Sequence, residues 1–396
     1  MQRNAPIRGM TIKYCLLQGT FWMAYCAIYS FAVEFLLAKG FAAGRIGVVL
    51  ALSSITTSLL QPVLAAASER YGKPTPGAIA LTGAGLAMAL SLVLGFLQGP
   101  AVAVVFCVLA AIMQSLLPFL NAIGFAYMNR GEKLNYGLAR ASGSMFFALI
   151  SAVLGFFVAH FGGAALPFLN IALLVLFAVL IWVVGEPDWS VQSRRGAEPT
   201  PLVDFLTRYR RFCILLVGLT CMLFQHSIIN SYLTQIFEGV GGSSVDKGVA
   251  LAVAAISELP TMMGFSLLTK KFTIRSLMRF AAIFLSVKAL WFTLATSVLS
   301  LHLAHLVQMV SYALYIPASL YYVNSLMAER DRVKGVALIN VPMTLGSVFG
   351  TLVGGWLLQT VGLRAMLVTA AVVSVVGCVI VCLSLENVQG EGGKSW

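Results

Sequence analysis

Twelve apolar runs follow one another along this 396-residue chain, with scarcely a charge inside them. Their approximate limits are 10–38, 44–68, 75–97, 100–128, 136–162, 164–184, 211–239, 245–269, 274–297, 300–327, 334–361 and 363–384. A helix rises about 1.5 Å per residue, so about 20 apolar residues cross the hydrocarbon core of a bilayer. In lipid each backbone N–H and C=O must find its partner inside the protein, which leaves helices and closed barrels. These runs lack the short alternating pattern of a membrane barrel. Charged residues make up 10% of the chain, against about 25% in soluble domains. A chain so poor in charge cannot cover a water-facing surface of its own size. The sequence therefore predicts an all-α membrane protein with twelve transmembrane helices.

The runs fall into two sets of six. The longest non-apolar stretch, about 185–210, lies between them, with Pro187, Pro199, Pro201 and many charges. The predicted organisation is an N-terminal six-helix bundle over 1–184, a cytoplasmic linker over 185–210 and a second bundle over 211–396 with a short tail. The halves echo each other. The second and eighth spans carry Pro62 and Pro260, and both end in basic stretches (Ala-Ser-Glu-Arg-Tyr-Gly-Lys at 67–73, Thr-Lys-Lys-Phe-Thr-Ile-Arg at 269–275). The fifth and eleventh both run Gly-rich. Two pseudo-symmetric bundles with a polar site near the bilayer midplane are the build of many secondary transporters. Gly350, Gly354 and Gly355 read as packing residues, because small side chains let helices approach.

The net charge of +12 reports orientation. With the N-terminus placed in the cytoplasm, twenty of the 26 Lys and Arg fall on that side, including Arg3, Arg8, Arg70, Lys73, Lys133, Arg194, Arg195, Arg275, Arg332 and Lys394. Only Lys39, Arg45, Lys247 and Arg364 fall on the other. This bias obeys the positive-inside rule and predicts cytoplasmic termini in a cell inner membrane. Anionic lipid headgroups are the expected contact of the basic loops; nucleic acid is not an expected partner. The seven cysteines lie in or at the start of apolar runs without zinc spacing, and read as packing residues. No Walker-type loop is present to bind nucleotide. No nucleophile–base or metal constellation suggests an enzyme, and no cofactor is expected.

An ionisable group inside a span is costly and marks function by default. Glu258 lies near the middle of the eighth span, Lys288 inside the ninth and Arg140 about one turn into the fifth. Burial raises a carboxyl pKa and a nearby cation lowers it. A buried Glu258 exposed to each side in turn can therefore carry a proton. The bland alternative is a static ion pair with Lys288 that only locks two helices. Arg140 has the alternative of snorkelling to the cytoplasm. Weaker polar signals are Tyr25 and Tyr29, Asn121 beside Pro118, Gln225, His226 and Asn230 on the seventh span, and Gln308, Tyr312 and Tyr315 on the tenth. Aromatics with amides suit a sugar or nucleoside. His226 reads as a packing group rather than a ligand.

The chain resembles the major facilitator superfamily over nearly its full length. Gln-Pro at 61–62 followed by the stretch at 67–73 is similar to that superfamily's loop motif, with Ala65 and Glu69 in place of Gly and Asp. Within it the chain looks most like the oligosaccharide:proton symporters. Tyr-Gly-Leu-Ala-Arg-Ala-Ser-Gly (136–143) resembles the segment holding that family's sugar-binding arginine, which falls at Arg140. Ser-Glu-Leu-Pro-Thr (257–261) resembles the segment holding its sugar-binding glutamate, at Glu258. Ser-Val-Lys (286–288) falls where the family has an arginine linked to proton transfer, and Tyr25 matches a cavity tyrosine. The family's stacking tryptophan falls at Phe147, a glutamate partner of the arginine near Asn121, an aspartate near Asn230, and a His and Glu of proton coupling near Tyr312 and Tyr315.

The resemblance implies a substrate site drawn from Tyr25, Asn121, Arg140, Phe147, Asn230, Glu258, Tyr312 and Tyr315, with Glu258 and Lys288 in proton coupling. The expected function is proton-coupled import of a sugar, oligosaccharide or similar polar solute by alternating access, by a monomer. The alternatives are uniport, efflux of drugs or metabolites, or uptake of nucleosides or small organic anions.

Overall fold

A computed structural model of the chain describes residues 9–71, 75–130, 132, 134, 136–185 and 202–386. The side chains of 65–71 and the residues 72–74, which carry the loop motif, lie outside the described residues. So do most of the predicted linker with Arg194 and Arg195, and Arg3, Arg8, Lys133 and Lys394.

The described residues form helices and no strand. They are α1 Gly9–Tyr25, α2 Ala32–Ala38, α3 Ala43–Tyr71, α4 Pro76–Phe96, α5 Ala101–Asn129, α6 Tyr136–Phe161, α7 Leu166–Val184, α8 Leu202–Arg208, α9 Arg210–Ser231, α10 Leu233–Glu238, α11 Ser244–Lys271, α12 Ile274–Leu294, α13 Val298–Leu306, α14 Tyr312–Leu326, α15 Glu329–Ile339, α16 Val341–Thr360 and α17 Leu363–Ser384. Among them eleven stretches are long and apolar enough to cross a membrane, and twelve when the bent pair at the start of the chain counts as one span. Eleven of the predicted spans coincide with these stretches to within a few residues, because length and apolarity are local properties of sequence. The seventh, predicted over 211–239, ends as a membrane-length helix at Ser231, where Tyr232 at φ −103°, ψ 25° separates α9 from α10.

The breaks are what the sequence did not show. The first span bends by 48° between Gly9–Ser30 and Ala32–Ala38. A π-helical turn, Cys26–Ser30, precedes the bend, and Phe31 leaves helical geometry at φ −109°, ψ 22°. Extra-wide turns of this kind interrupt the hydrogen-bond ladder and are common sources of kinks. The tenth span also breaks: α13 gives way to a 3₁₀ turn, Val307–Met309, before α14. The Thr261 hydroxyl of α11 donates to the Met309 carbonyl at 2.7 Å, which satisfies a group that the break leaves outside the α-helical ladder.

The described residues divide into two compact units. One comprises those within 1–42 and 52–192, the other those within 43–51 and 193–396. In the first unit α1 packs on α6 and α7, and α4 on α5 and α7. Asn170 of α7 donates to the Ser91 hydroxyl of α4 at 2.9 Å, both fully buried, so a polar pair fixes the register of two apolar helices.

In the second unit α9 is flanked by α16 and α17, and α12 packs on α14 and α17. Gly350 faces the Phe224 carbonyl and the Ser227 side chain, and Gly354 faces the Tyr232 ring, so each lets a helix come close. Phe205, Phe212, Leu215, Met222, Leu285, Tyr315 and Tyr322 belong to its buried apolar core. At the end of the unit bearing the basic loops, α8 is tied down by Asp331, whose carboxylate is fully buried near the start of α15. Tyr209 Oη donates to it at 3.0 Å, and Arg208 and Arg330 lie 3.7 and 4.0 Å away. A carboxylate there also suits the positive end of the helix dipole. Asp331→Ala is expected to lower stability by about 1–3 kcal/mol, because it strips Tyr209 of its acceptor and leaves the arginines unpaired. Thermal unfolding of the purified variant checks this; an unchanged midpoint would sink it.

Candidate functional site

Each unit carries its own polar or aromatic cluster inside membrane-length helices. In the second unit the cluster is a hydrogen-bonded row. Lys288 of α12 is 1% exposed and donates from Nζ to Gln308 Oε1 at 2.6 Å. Gln308, on the 3₁₀ turn and 4% exposed, donates from Nε2 to Glu258 Oε1 of α11 at 3.0 Å. An amide between an ammonium and a carboxylate is held in one orientation, since a flip would set its NH₂ against the cation. Both bonds are charge-assisted, and such bonds are roughly twice as strong as neutral ones. Gln308 thus bridges Glu258 and Lys288, the two charges that the sequence reading set against each other. The ammonium also lies 5.7 Å from the Phe292 ring centroid, a favourable contact for a desolvated cation.

Next to this row α9 meets α14. The His226 and Tyr312 rings are parallel, with centroids 4.1 Å apart and an interplanar angle of 9°. Asn230 donates to the His226 carbonyl at 2.8 Å, and its Nδ2 lies 3.1 Å from His226 Nε2. Tyr315 is buried in the apolar core, with its ring 6.3 Å from that of Tyr312.

In the first unit the cluster is aromatic, and Trp22 of α1 stands at its centre. The Arg140 guanidinium lies 4.9 Å from the centroid of the Trp22 ring, while Arg140 itself is exposed. Tyr25 and Phe147 meet Trp22 edge-on at 5.3 and 6.4 Å, and Tyr29 stacks on Tyr25 at 5.0 Å. Gly143 makes room: a Cβ there would come within 2.6 Å of the indole. One turn before Trp22, Gln18 donates to Asn121 Oδ1 at 3.2 Å and to Tyr14 Oη at 3.0 Å. Tyr14 Oη in turn donates to the Leu120 carbonyl at 2.8 Å.

The structure therefore gathers Tyr25, Arg140 and Phe147 around Trp22, with Asn121 tied to the same helix, and gathers Glu258 and Lys288 on Gln308. Sequence reasoning passed over Trp22 and Gln18, although both share a face of α1 with Tyr25. It grouped Gln308 with Tyr312 and Tyr315 without giving it a role. Glu34 and Lys247, to which the sequence reading gave no role in the site, are also buried, at 6% and 0% exposure. Among the described residues no group of three or more His, Cys, Asp or Glu could hold a metal ion.

Among the described residues, eleven to twelve membrane-length helices with polar residues gathered within them define a multi-pass membrane protein. Residues 14–368 match the MFS_1 like family, and the chain belongs to it. It is a transporter of the major facilitator type and not an enzyme. It is 28% identical over 355 residues to a maltose permease of Geobacillus stearothermophilus, covering 88% of this chain and 87% of that protein. Its fold is shared with the nucleoside transporter NupG (TM-score 0.82, 12% identity, 96% of this chain and all of the other). It is shared also with a point mutant of the peptide transporter POT (TM-score 0.71, 12% identity, 94% of this chain and 93% of the other). The superfamily expected from the sequence is the one found.

Proposed function

We propose that this transporter imports a sugar, oligosaccharide or similar neutral polar solute together with protons, by alternating access. The observation that carries the proposal is the row Glu258–Gln308–Lys288: a carboxylate inside a membrane-length helix, held by a neutral donor and through it by a buried ammonium. A carboxylate so placed can gain and lose a proton as its access changes. The likeness to a maltose permease supports a sugar. Arg140 and Asn121 offer donors and an acceptor to hydroxyls, and Tyr25, Phe147 and Trp22 offer apolar ring faces. Those faces would equally suit a nucleobase, so nucleosides are the second substrate class. The charge bias of the loops supports cytoplasmic termini in a cell inner membrane, and the protein would act as a monomer with lipid as its surroundings.

The test is uptake of labelled maltose, sucrose and uridine by vesicles carrying the purified protein, acidic outside. One proton per solute and one pH unit support about tenfold accumulation. Accumulation that collapses with the gradient is the expected result. Flux that only equilibrates would replace symport by uniport, and no flux of any of the three would sink the substrate class.

A further inference from the structure

The His226 ring is fixed on a face and on an edge, and one of its buried polar atoms is left over. Tyr312 covers one face of the imidazole. Asn230, one turn along the same helix, locks the edge. Its amide orientation follows from the backbone, because Oδ1 placed against the His226 carbonyl would oppose two acceptors. The NH₂ group therefore points there, with one proton to the carbonyl at 2.8 Å and the other to Nε2 at 3.1 Å. Nε2 accepts, so the proton of the neutral ring sits on Nδ1. Nδ1 is buried and has no hydrogen-bond partner among the described residues. A buried donor without an acceptor is costly, and such a group beside a polar site needs a partner or a role to account for it.

We infer that His226 is a substrate-binding residue, whose Nδ1–H donates to an acceptor oxygen (hydroxyl, ring ether or carbonyl) of a neutral polar solute held beside the Glu258–Gln308–Lys288 row. The inference rests on the function proposed above and names a further residue of the same site. The direction of the bond follows from the tautomer: the ring offers a proton and has no lone pair to spare. The charge that bears on His226 is that of Lys288, which also bears on His305 of α13. An N–H donor bonds an acceptor lone pair, which an ammonium lacks, so the ring selects an oxygen of the solute. Tyr312 and Asn230 act through His226 as positioning residues. Tyr312 fixes the plane of the ring and Asn230 its tautomer.

Two substitutions separate this role from packing. His226→Phe keeps a flat ring against Tyr312 and removes the donor. His226→Asn gives up the stack and keeps an N–H close to where Nδ1 stands. The readout is binding of maltose, sucrose and uridine to the purified protein, measured beside the unfolding temperature without ligand. The phenylalanine variant is expected to unfold near the wild-type temperature and to bind about tenfold more weakly, the loss of one hydrogen bond to a buried partner. The asparagine variant is expected to be less stable yet to recover most of the affinity. Equal binding by wild type and His226→Phe would overturn the inference alone. Loss of binding in proportion to loss of ligand-free stability in both variants would reduce His226 to packing. If the wild type binds none of the three probes, the substrate class fails and the inference falls with it.

Discussion

Glu258→Gln is expected to bind its solute and exchange it across the membrane, yet to lose accumulation altogether. Under a gradient of one pH unit the roughly tenfold concentration ratio of the wild type falls to equality. The substitution is nearly isosteric. Its amide oxygen still accepts from Gln308 Nε2, where the carboxylate now accepts at 3.0 Å. Gln308 Oε1 still receives Lys288 at 2.6 Å. The binding geometry is therefore kept, and what is lost is the only proton-carrying group of the row with a carboxyl's range. Counterflow of preloaded solute should proceed in the variant while uphill uptake does not. A variant that still concentrates solute in response to an imposed pH gradient would remove Glu258 from proton coupling.

The second large effect concerns Lys288. Lys288→Leu leaves the Glu258 carboxylate without its cation inside a membrane-length helix. Breaking a buried pair by removing one partner costs about 3–5 kcal/mol, and the half-buried state of Glu258 sets the expectation at the lower end, about 3 kcal/mol. The double substitution Lys288→Leu with Glu258→Gln should recover most of that loss, because neither charge then remains. Thermal unfolding of the four proteins forms a closed cycle. Strong coupling between the two sites is the expected result, though they touch through Gln308. Additive losses would mean that the charges are independent and that the row is a set of separate packing contacts.

Much of this protein is legible in its amino-acid sequence. Glu258, Lys288 and Arg140 stand out because a charge inside an apolar run is costly wherever its helix points. Their partners do not stand out. Gln308 is 20 residues from Lys288 and 50 from Glu258. It reaches both because a 3₁₀ turn breaks the tenth span, and no apolar periodicity signals that turn. Trp22 reads as one more apolar residue of the first span, yet it is the surface on which the Arg140 guanidinium rests. The pattern of the resembling family places an aromatic at 147, and Phe147 does lie in the cluster, at the edge of Trp22. His226 reads as packing, and its stacked ring agrees with that. Its leftover donor emerges only once Asn230 and the backbone carbonyl are seen together.

The sequence by itself determined that the chain is an all-helical membrane protein, which it divides into twelve spans, and which of its residues would be costly in lipid. Those are properties of length, apolarity and charge, carried by each stretch alone. Only the tertiary structure decided what stabilises the costly residues: an amide between Glu258 and Lys288, a tryptophan under Arg140, a tyrosine and an asparagine that set the plane and tautomer of His226. The physical reason is that such contacts depend on how helices far apart in the chain are rotated and where they break. A shift of one residue turns a side chain by about 100° around its helix, enough to exchange a partner for lipid.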